Sequence, residues 1–557
     1  MTPKLCVRRI SRHRLPLTAL AAVAGGAVVL AGCGGSDSAG SAAGTAAGYV
    51  PAASPLYFEI STDTSGPQWT QLTALARFFP AYANMKKGLD KGLSSNGIDW
   101  NTEVKPLLGK DAALAVPSLP DASAVAGALS DPAKAAGGVA AKAADQPVLA
   151  VLEIAPGKSA EMKKLLTSQA GSGISQTGTK DGATLYADAA GGMYAAVNDQ
   201  VVIIGSSQDV VAKALDAHAA GGDQVLSGAA RFNDALAKLP SDVFAQAYIN
   251  LEGIAKDALA AVPQAEQLAG GQLTGVVAMS ITAEKTGLRM KAVLVGAPPA
   301  IAQTEYSPTL LASAPQDVLA YVGFNRLADT VQRALTSVSD SASSDTKTQI
   351  DTLTGQLPLL LGVTGDDLRN LTGGEHAVVV TAGRRVPAVS LMLQTASGVQ
   401  AAKSLAALSK SVPKVLHQFG GVKKKLPAWT AVDLGGVKGQ QLALGGTGRV
   451  VWGVKGDLAV IGTQVTGVAR VLSPPAGTLP LSRTPAFTTA TQGMPDQVTG
   501  LVWVNVARVL PVLRANGSFR GKDGQRTLNN LRVVKNVAAW SSGGETPTVE
   551  VFLGLSR

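Results

Sequence analysis

Two cysteines occur in 557 residues, Cys6 and Cys33, both ahead of the body of the chain. So few thiols, so placed, give neither a disulfide framework nor a cysteine-based metal site. Histidine is nearly as scarce: His13 lies in the leader, and His218, His376 and His417 in the body are far apart. No His-Glu-x-x-His and no histidine pair at i+3 or i+4 is present, which excludes the usual zinc-hydrolase pattern. Aromatic residues are only 4% of the chain, too few for a carbohydrate platform or a single-stranded nucleic-acid groove. Despite 62 glycines, there is no Gly-x-x-x-x-Gly-Lys-Ser/Thr loop, no dinucleotide fingerprint, no Gly-x-Ser-x-Gly elbow and no calcium loop. No catalytic residue, cofactor or metal ligand is expected.

What is present begins with charge. The formal net charge is +10, and five of those charges are Lys4, Arg8, Arg9, Arg12 and Arg14 in the first 32 residues, which contain no acid. The remaining +5 is mild for so long a chain and does not point to nucleic acid. The basic start leads into the apolar run Leu15–Leu30, shorter than the roughly 20 residues of a membrane-spanning helix, and then into Leu30-Ala31-Gly32-Cys33. Arg8-Arg9 lacks the paired hydrophobic residues of a twin-arginine signal. Leu-Ala-Gly-Cys resembles the bacterial lipobox. The resemblance implies that Cys33 takes a diacylglyceryl group through its sulfur and becomes the new N-terminus, a role that needs a thiolate nucleophile. Two acyl chains suffice for stable attachment. Residues 34–48 are Gly, Ser and Ala with one Asp and one Thr, and read as a flexible tether on the order of 20 Å end to end.

The body repeats itself. Pro51 and Tyr57 recur as Pro315 and Tyr321, and Leu107–Val116 as Leu371–Val380, all at an offset of 264. Pro147 and the apolar strand behind it match Pro387 and its strand. Val202–Gly205 matches Ala459–Gly462 at an offset of 257, and Phe232, Pro240, Tyr248 and Asn250 match Phe487, Pro495, Trp503 and Asn505 at 255. Collinear matches with small drifts indicate a tandem duplication of units too long for a solenoid. A fainter echo of Pro315-Gln-Asp-Val at Pro240-Ser-Asp-Val hints at an older duplication inside each copy. Short apolar strands (Leu56–Ile60, Pro147–Ile154, Val201–Ile204, Val276–Thr282, Leu288–Val295) alternate with helical periodicity around Leu72–Phe79, Tyr82–Leu93 and Ser159–Thr167. Ser118–Gln146 is Ala/Gly/Pro-rich and reads as a surface excursion.

The Pro-x-Asp-x-x-Ala-Tyr opening of the second copy and Val104-Lys-Pro-Leu-Leu-Gly-Lys-Asp-Ala-Ala-Leu-Ala in the first resemble the bacterial envelope family known as domain of unknown function 3352. Leu107 stands where that pattern has Trp. The resemblance covers most of the chain and implies an extracytoplasmic, membrane-attached protein; it brings no catalytic residues.

The remaining polar features have bland readings. His218 and His417 read as surface or helix-end residues, and His376 as a turn residue ahead of a strand, standing where the first copy has Asp111. Gly205-Ser206-Ser207 reads as a helix N-cap, as does Thr364 before Asp366-Asp367. Lys423-Lys424-Lys425, with Lys410 and Lys414, reads as a solvated loop that could touch anionic headgroups. The expected architecture is α+β: a signal peptide at 1–32, a tether at 33–49 and two similar domains at 50–300 and 301–557. Each domain has mostly antiparallel strands backed by helices. The expected protein is lipid-anchored on the outer face of the cell membrane and non-catalytic, and it binds a lipid or other hydrophobic ligand. The alternative is a structural or protein-interaction module of an envelope complex; an envelope hydrolase stands third, for want of a nucleophile.

Overall fold

The computed structural model describes residues 43–94, 99–118, 147–168, 174–188, 193–254, 274–296, 304–325, 362–383, 386–418, 428–445 and 448–557. Cys33, the expected signal segment, the expected excursion after Ser118 and the lysines at 423–425 lie outside them. The chain divides into two compact units, one comprising residues up to Ile301 with Glu545–Glu550, the other Ala302–Gly544 with Val551–Arg557.

The first unit contains β1 (Leu56–Ser61), β2 (Leu108–Val116), β3 (Leu149–Ile154), β4 (Ile174–Lys180), β5 (Ala183–Asp188), β6 (Tyr194–Val197), β7 (Val201–Gly205), β8 (Ala245–Asn250), β9 (Val276–Glu284) and β10 (Gly287–Val295). Their order in the sheet is β4-β5-β6-β7-β3-β2-β1-β8-β9-β10, antiparallel throughout. Helices cover both faces. On one face Tyr57 stands opposite Tyr248, and Phe232 meets both rings edge-on with centroids 5.5 and 5.1 Å away. The helices Gln208–Ala220 and Ala230–Leu236 close this core. Phe232 is fully buried, a burial that contributes roughly 2–3 kcal/mol. On the other face Ile60, Ala112, Leu152 and Val202 form a second core with Met162 of the helix Ser159–Ser168. Trp69 of the helix Pro67–Ala76 packs there too, donating its indole N–H to the Ser61 carbonyl at 2.6 Å.

Local sequence explains the helix ends. Ser207 caps Gln208–Ala220 by accepting from Val210 N at 3.3 Å, and Gly221 ends it at φ +62°. Asp99 caps the π-helical turn Trp100–Val104 through Asn101 N and Thr102 N at 2.8 and 2.9 Å. Pro80 starts the helix Pro80–Ser94, where its fixed φ and missing N–H are harmless.

The second unit contains β11 (Ala320–Asn325), β12 (Glu375–Thr381), β13 (Ala388–Gln394), β14 (Thr430–Asp433), β15 (Lys438–Gly445), β16 (Gly448–Lys455), β17 (Leu458–Gly462), β18 (Gly500–Val504), β19 (Val534–Ser542) and, from Val551 on, β20 (Thr548–Leu555). The order is β14-β15-β16-β17-β13-β12-β11-β18-β19, with antiparallel pairs, and β20 pairs with β19. One face buries Tyr321, Trp503 and Phe487 beneath the helices Val465–Leu472 and Pro485–Ala490. The other packs Leu393 and Ala459 beneath the helix Gly398–Gln418. Thr364 caps the helix Gly365–Thr372 in a full capping box with Asp367.

Registers repeat along with order. Tyr57 pairs with Ala115 and Tyr321 with Val379, both at an offset of 264. Between β2 and β3 Ala113 faces Val151, and between β12 and β13 Ala377 faces Met392. The third strands therefore correspond at an offset of 241, and the expected match of Pro147 with Pro387 is one residue out. A one-residue slip exchanges the two faces of a strand, and backbone bonds confirm the correction: Val148 N donates to Ser206 Oγ and Val389 N to Thr463 Oγ1, each at 3.1 Å.

Two further expectations give way. Residues 43–49, read as the end of the tether, instead form the 3-10 helix Thr45–Tyr49, with Ala46, Ala47 and Tyr49 almost entirely buried. Their small side chains are dictated by close packing. Asp111 and His376, read as turn residues, are both buried inside strands, and at an offset of 264 the partner of Asp111 is Glu375.

Candidate functional site

Three carboxylates from adjacent strands converge in the first unit: Glu59 on β1, Asp111 on β2 and Glu153 on β3. Glu59 and Asp111 are 8% and 6% exposed. The start of the 3-10 helix Thr45–Tyr49 rests on them. Gly44 N donates to Glu59 Oε2 at 3.3 Å, Thr45 Oγ1 to Glu153 Oε1 at 3.3 Å, and the backbone N–H groups of Thr45 and Ala46 bond to Asp111. Gln246 donates to Glu59 at 3.1 Å, the Tyr57 hydroxyl also donates to Glu59, and Asp111 N donates to Glu153 at 3.2 Å. Asp111 Oδ1 has no hydrogen-bond partner. Burial, then the charges of Glu59 and Glu153, push the Asp111 carboxyl up to about 7. Burial also raises Glu59.

The second unit has one acid in the corresponding place. Glu375 accepts from Thr309 Oγ1 at 2.6 Å and Leu310 N at 2.9 Å, at the start of the 3-10 helix Thr309–Ala312. Thr309 and Leu310 lie 264 residues after Thr45 and Ala46. Gly323 replaces Glu59 and Gln394 replaces Glu153, and a Cβ on Gly323 would lie 2.8 Å from the Tyr306 hydroxyl. An aromatic ring thus takes the space of the missing acid.

A second feature is apolar. Cross-strand partners on one sheet face share that face. Opposite the core of Tyr321 and Trp503, the second unit carries the row Leu391, Val378, Val322, Val502, Ala539 and beside it Val389, Val380, Ala320, Val504, Val537. Eight of these ten aliphatic residues are half-buried, Leu391 against the core beneath the helix Gly398–Gln418, and Val322 and Val389 are 37% and 40% exposed. With strands about 4.8 Å apart, the rows run for about 20 Å across the sheet. The first unit has half-buried Leu114, Phe58, Ala247 and Met279 in the corresponding row.

The histidines go to structural places. His218 is exposed on its helix, stacks on Tyr49 at 3.7 Å and bonds through Nδ1 to the Gly48 carbonyl at 2.9 Å. His376 is fully buried in β12, its Nε2 bonded to the Leu371 carbonyl at 3.0 Å and its ring stacked 5.7 Å from Phe324. Desolvation lowers its pKa and holds it neutral. His417 lies in the helix Gly398–Gln418. Among the described residues no group of three or more His, Cys, Asp or Glu is arranged to hold a metal ion, and no helix is long and apolar enough to cross a membrane. A shallow, solvent-open depression is lined by Leu166, Ile174, Tyr186 and Met193.

These features define an α+β protein of antiparallel sheets with helices on both faces, in two units of like strand order. The chain belongs to the family described as Protein of unknown function (DUF3352), whose model matches residues 16–555. No curated protein sequence matches it. It is similar to solved structures of TP0453: crystal form III at 10% identity over 45% of this chain and 80% of that one, TM-score 0.24, and crystal form IV at 12% identity over 45% and 81%, TM-score 0.25. Scores so low bear on neither fold nor function.

Proposed function

We propose that this chain is a non-catalytic protein lipid-anchored on the outer face of the cell membrane through Cys33, in which two copies of one domain present an apolar sheet face to a hydrophobic ligand. The observation that carries this reading is the pair of aliphatic rows around Val322 and Val378, ten residues of which eight are half-buried and Val322 and Val389 exposed. Contiguous apolar surface of this kind costs solubility and marks an interaction site. Duplication is supported by the common strand order, the common registers and the paired acids Asp111 and Glu375.

A fluorescent fatty acid titrated into the mature protein tests the ligand. Binding is expected, and Val322→Asp with Val378→Asp abolishes it while the circular dichroism spectrum is retained. Wild-type affinity in the double variant overturns the reading. The flatness of a pleated face, against the concave shape of most small-molecule sites, favours a second reading: a protein surface of an envelope complex occupies the rows. In that case the fatty acid does not bind and the same two substitutions release the partner.

A further inference from the structure

The docked segment and the acids beneath it make a device that the binding reading does not use. Residues 43–50 are held by few kinds of contact. Ala46, Ala47, Tyr49 and Val50 are at most 1% exposed. Tyr49 accepts from Asn198 Nδ2 at 2.9 Å and donates to Gln200 at 3.1 Å, and Leu226 N donates to the Val50 carbonyl at 2.9 Å. The other end depends on carboxylates accepting from Gly44, Thr45 and Ala46. Three negative charges in this space would repel one another with little water to screen them. Asp111 Oδ1 is buried with no partner, and ionisation would place charge on it.

We propose that a single proton resident on Asp111, within the Glu59–Asp111–Glu153 cluster, latches residues 43–50 onto the first unit, and that its loss to solvent undocks them. The titratable and charged groups around Asp111 come from each neighbouring element: Tyr57 and Glu59 on β1, Glu153 on β3, Lys110 beside it on β2, and His218 and Tyr49 at the far end of the segment. Gln246 on β8 is neutral. Tyr57 sits well above its ordinary range through burial and Glu59, so it stays protonated while the acids titrate.

The direction follows from linkage. Asp111 binds its proton more tightly when the segment is docked than when it is free. Docking is therefore strongest in mild acid, weakens as pH rises from the ordinary aspartate value of 3.8 towards about 7, and levels off above that. This is the reverse of ordinary acid denaturation. The second unit lacks the device, because Gly323 and Gln394 replace two of the three acids. The latch stands without the lipid anchor. If Cys33 is anchored, release adds eight residues to the linker, up to about 26 Å of extended chain.

Hydrogen exchange on the mature protein, corrected for intrinsic rates, tests it at the amides of residues 46–50 between pH 5 and 9. Protection is expected to fall by up to about tenfold per pH unit up to pH 7 and then level, while the amides of Val202 and Ile203 in β7 stay protected. Asp111→Asn flattens the profile. Glu59→Gln, whose one amide oxygen can still accept from Gly44 N and the Tyr57 hydroxyl but which removes the neighbouring charge, moves the midpoint to lower pH. The proposal fails if wild-type protection is independent of pH, if β7 opens in parallel, or if Asp111→Asn keeps the wild-type profile. Should Asp111→Asn not fold, an unmoved midpoint in Glu59→Gln overturns it equally.

Discussion

Gly205, the last residue of β7, lies so close to Val211 on the following helix that a Cβ added to it would stand 2.7 Å from Val211 Cγ2. The strand needs glycine here because the helix packs directly on its end. Gly462 and Val468 repeat this relationship, also at 2.7 Å, with the Val389 carbonyl 3.0 Å away. Gly205→Ala should destabilise the protein by about 1–3 kcal/mol, the usual cost of overpacking a closed core. Gly462→Ala should cost more, because its Cβ would also stand 2.8 Å from Ser390 Oγ and closer to a backbone oxygen (3.0 Å) than that of Gly205 (3.2 Å, Ser207). Chemical denaturation checks both. Val211→Ala should partly rescue Gly205→Ala, and simple additivity of the two would show that this contact is not the cause.

Glu375 tests the paired acids from the side with a single carboxylate. Glu375→Ala strands Leu310 N and the Thr309 hydroxyl without their acceptor and should cost about 1–3 kcal/mol. Glu375→Gln keeps an acceptor oxygen and should cost far less. Burial raises the Glu375 carboxyl, so its contribution is present in acid and is lost as pH rises through its folded value. Glu375→Gln should remove that slope from a plot of stability against pH. An equal loss in the Ala and Gln variants would mean that volume matters here and hydrogen bonding does not.

Much of the sheet was legible because its strands are short apolar runs bounded by turn residues, as at Leu149–Ile154 and Val201–Gly205. The antiparallel α+β class followed from the same pattern. The docked segment was not legible. Thr45-Ala-Ala in a Gly/Ser/Ala stretch has the composition of a linker, and only tertiary packing makes its small residues a core. A signal did exist: extending the offset of 264 six residues upstream of Pro51 pairs Thr45 with Thr309. Asp111 and His376 read as turn residues because a polar side chain at a strand start usually ends the strand; here the start of the helix Thr45–Tyr49 satisfies Asp111, and the Leu371 carbonyl bonds to His376. The strand β4 was missed because Ile174-Ser-Gln-Thr-Gly-Thr-Lys is polar, as an outermost strand can be. The apolar rows were hidden by their own pattern, since a continuous valine run such as Ala377–Val380 suggests cover on both faces.

His376 should govern how the second unit responds to acid. It is fully buried and its pKa is lowered by desolvation, so the folded state resists the proton that the unfolded chain accepts below the ordinary value of 6.5. Stability is full above that pH and falls as pH drops below it. His376→Phe keeps an aromatic ring against Phe324 and cannot titrate, so the acid-side decline should flatten. The test is a set of thermal melts between pH 4.5 and 7.5. An unchanged slope would assign the decline to other groups.

Cys33 carries the expected anchor, and its prediction turns on chemistry as well as location. A serine hydroxyl is a far poorer nucleophile than a thiolate at neutral pH, so Cys33→Ser cannot form the thioether to diacylglycerol. Each buried methylene contributes about 0.8 kcal/mol, and two acyl chains hold a protein on a bilayer where one holds it only marginally. The variant should therefore leave the membrane fraction or persist as a precursor that still carries residues 1–32. Intact-mass measurement separates the two outcomes, because anchoring through Cys33 requires the wild-type protein to have lost residues 1–32 and gained the lipid. Unchanged fractionation together with unchanged mass would remove the anchor from the proposed function. The pH-dependent docking of residues 43–50 would remain to be judged by its own exchange profile, since its carboxylates belong to the folded first unit and not to the membrane.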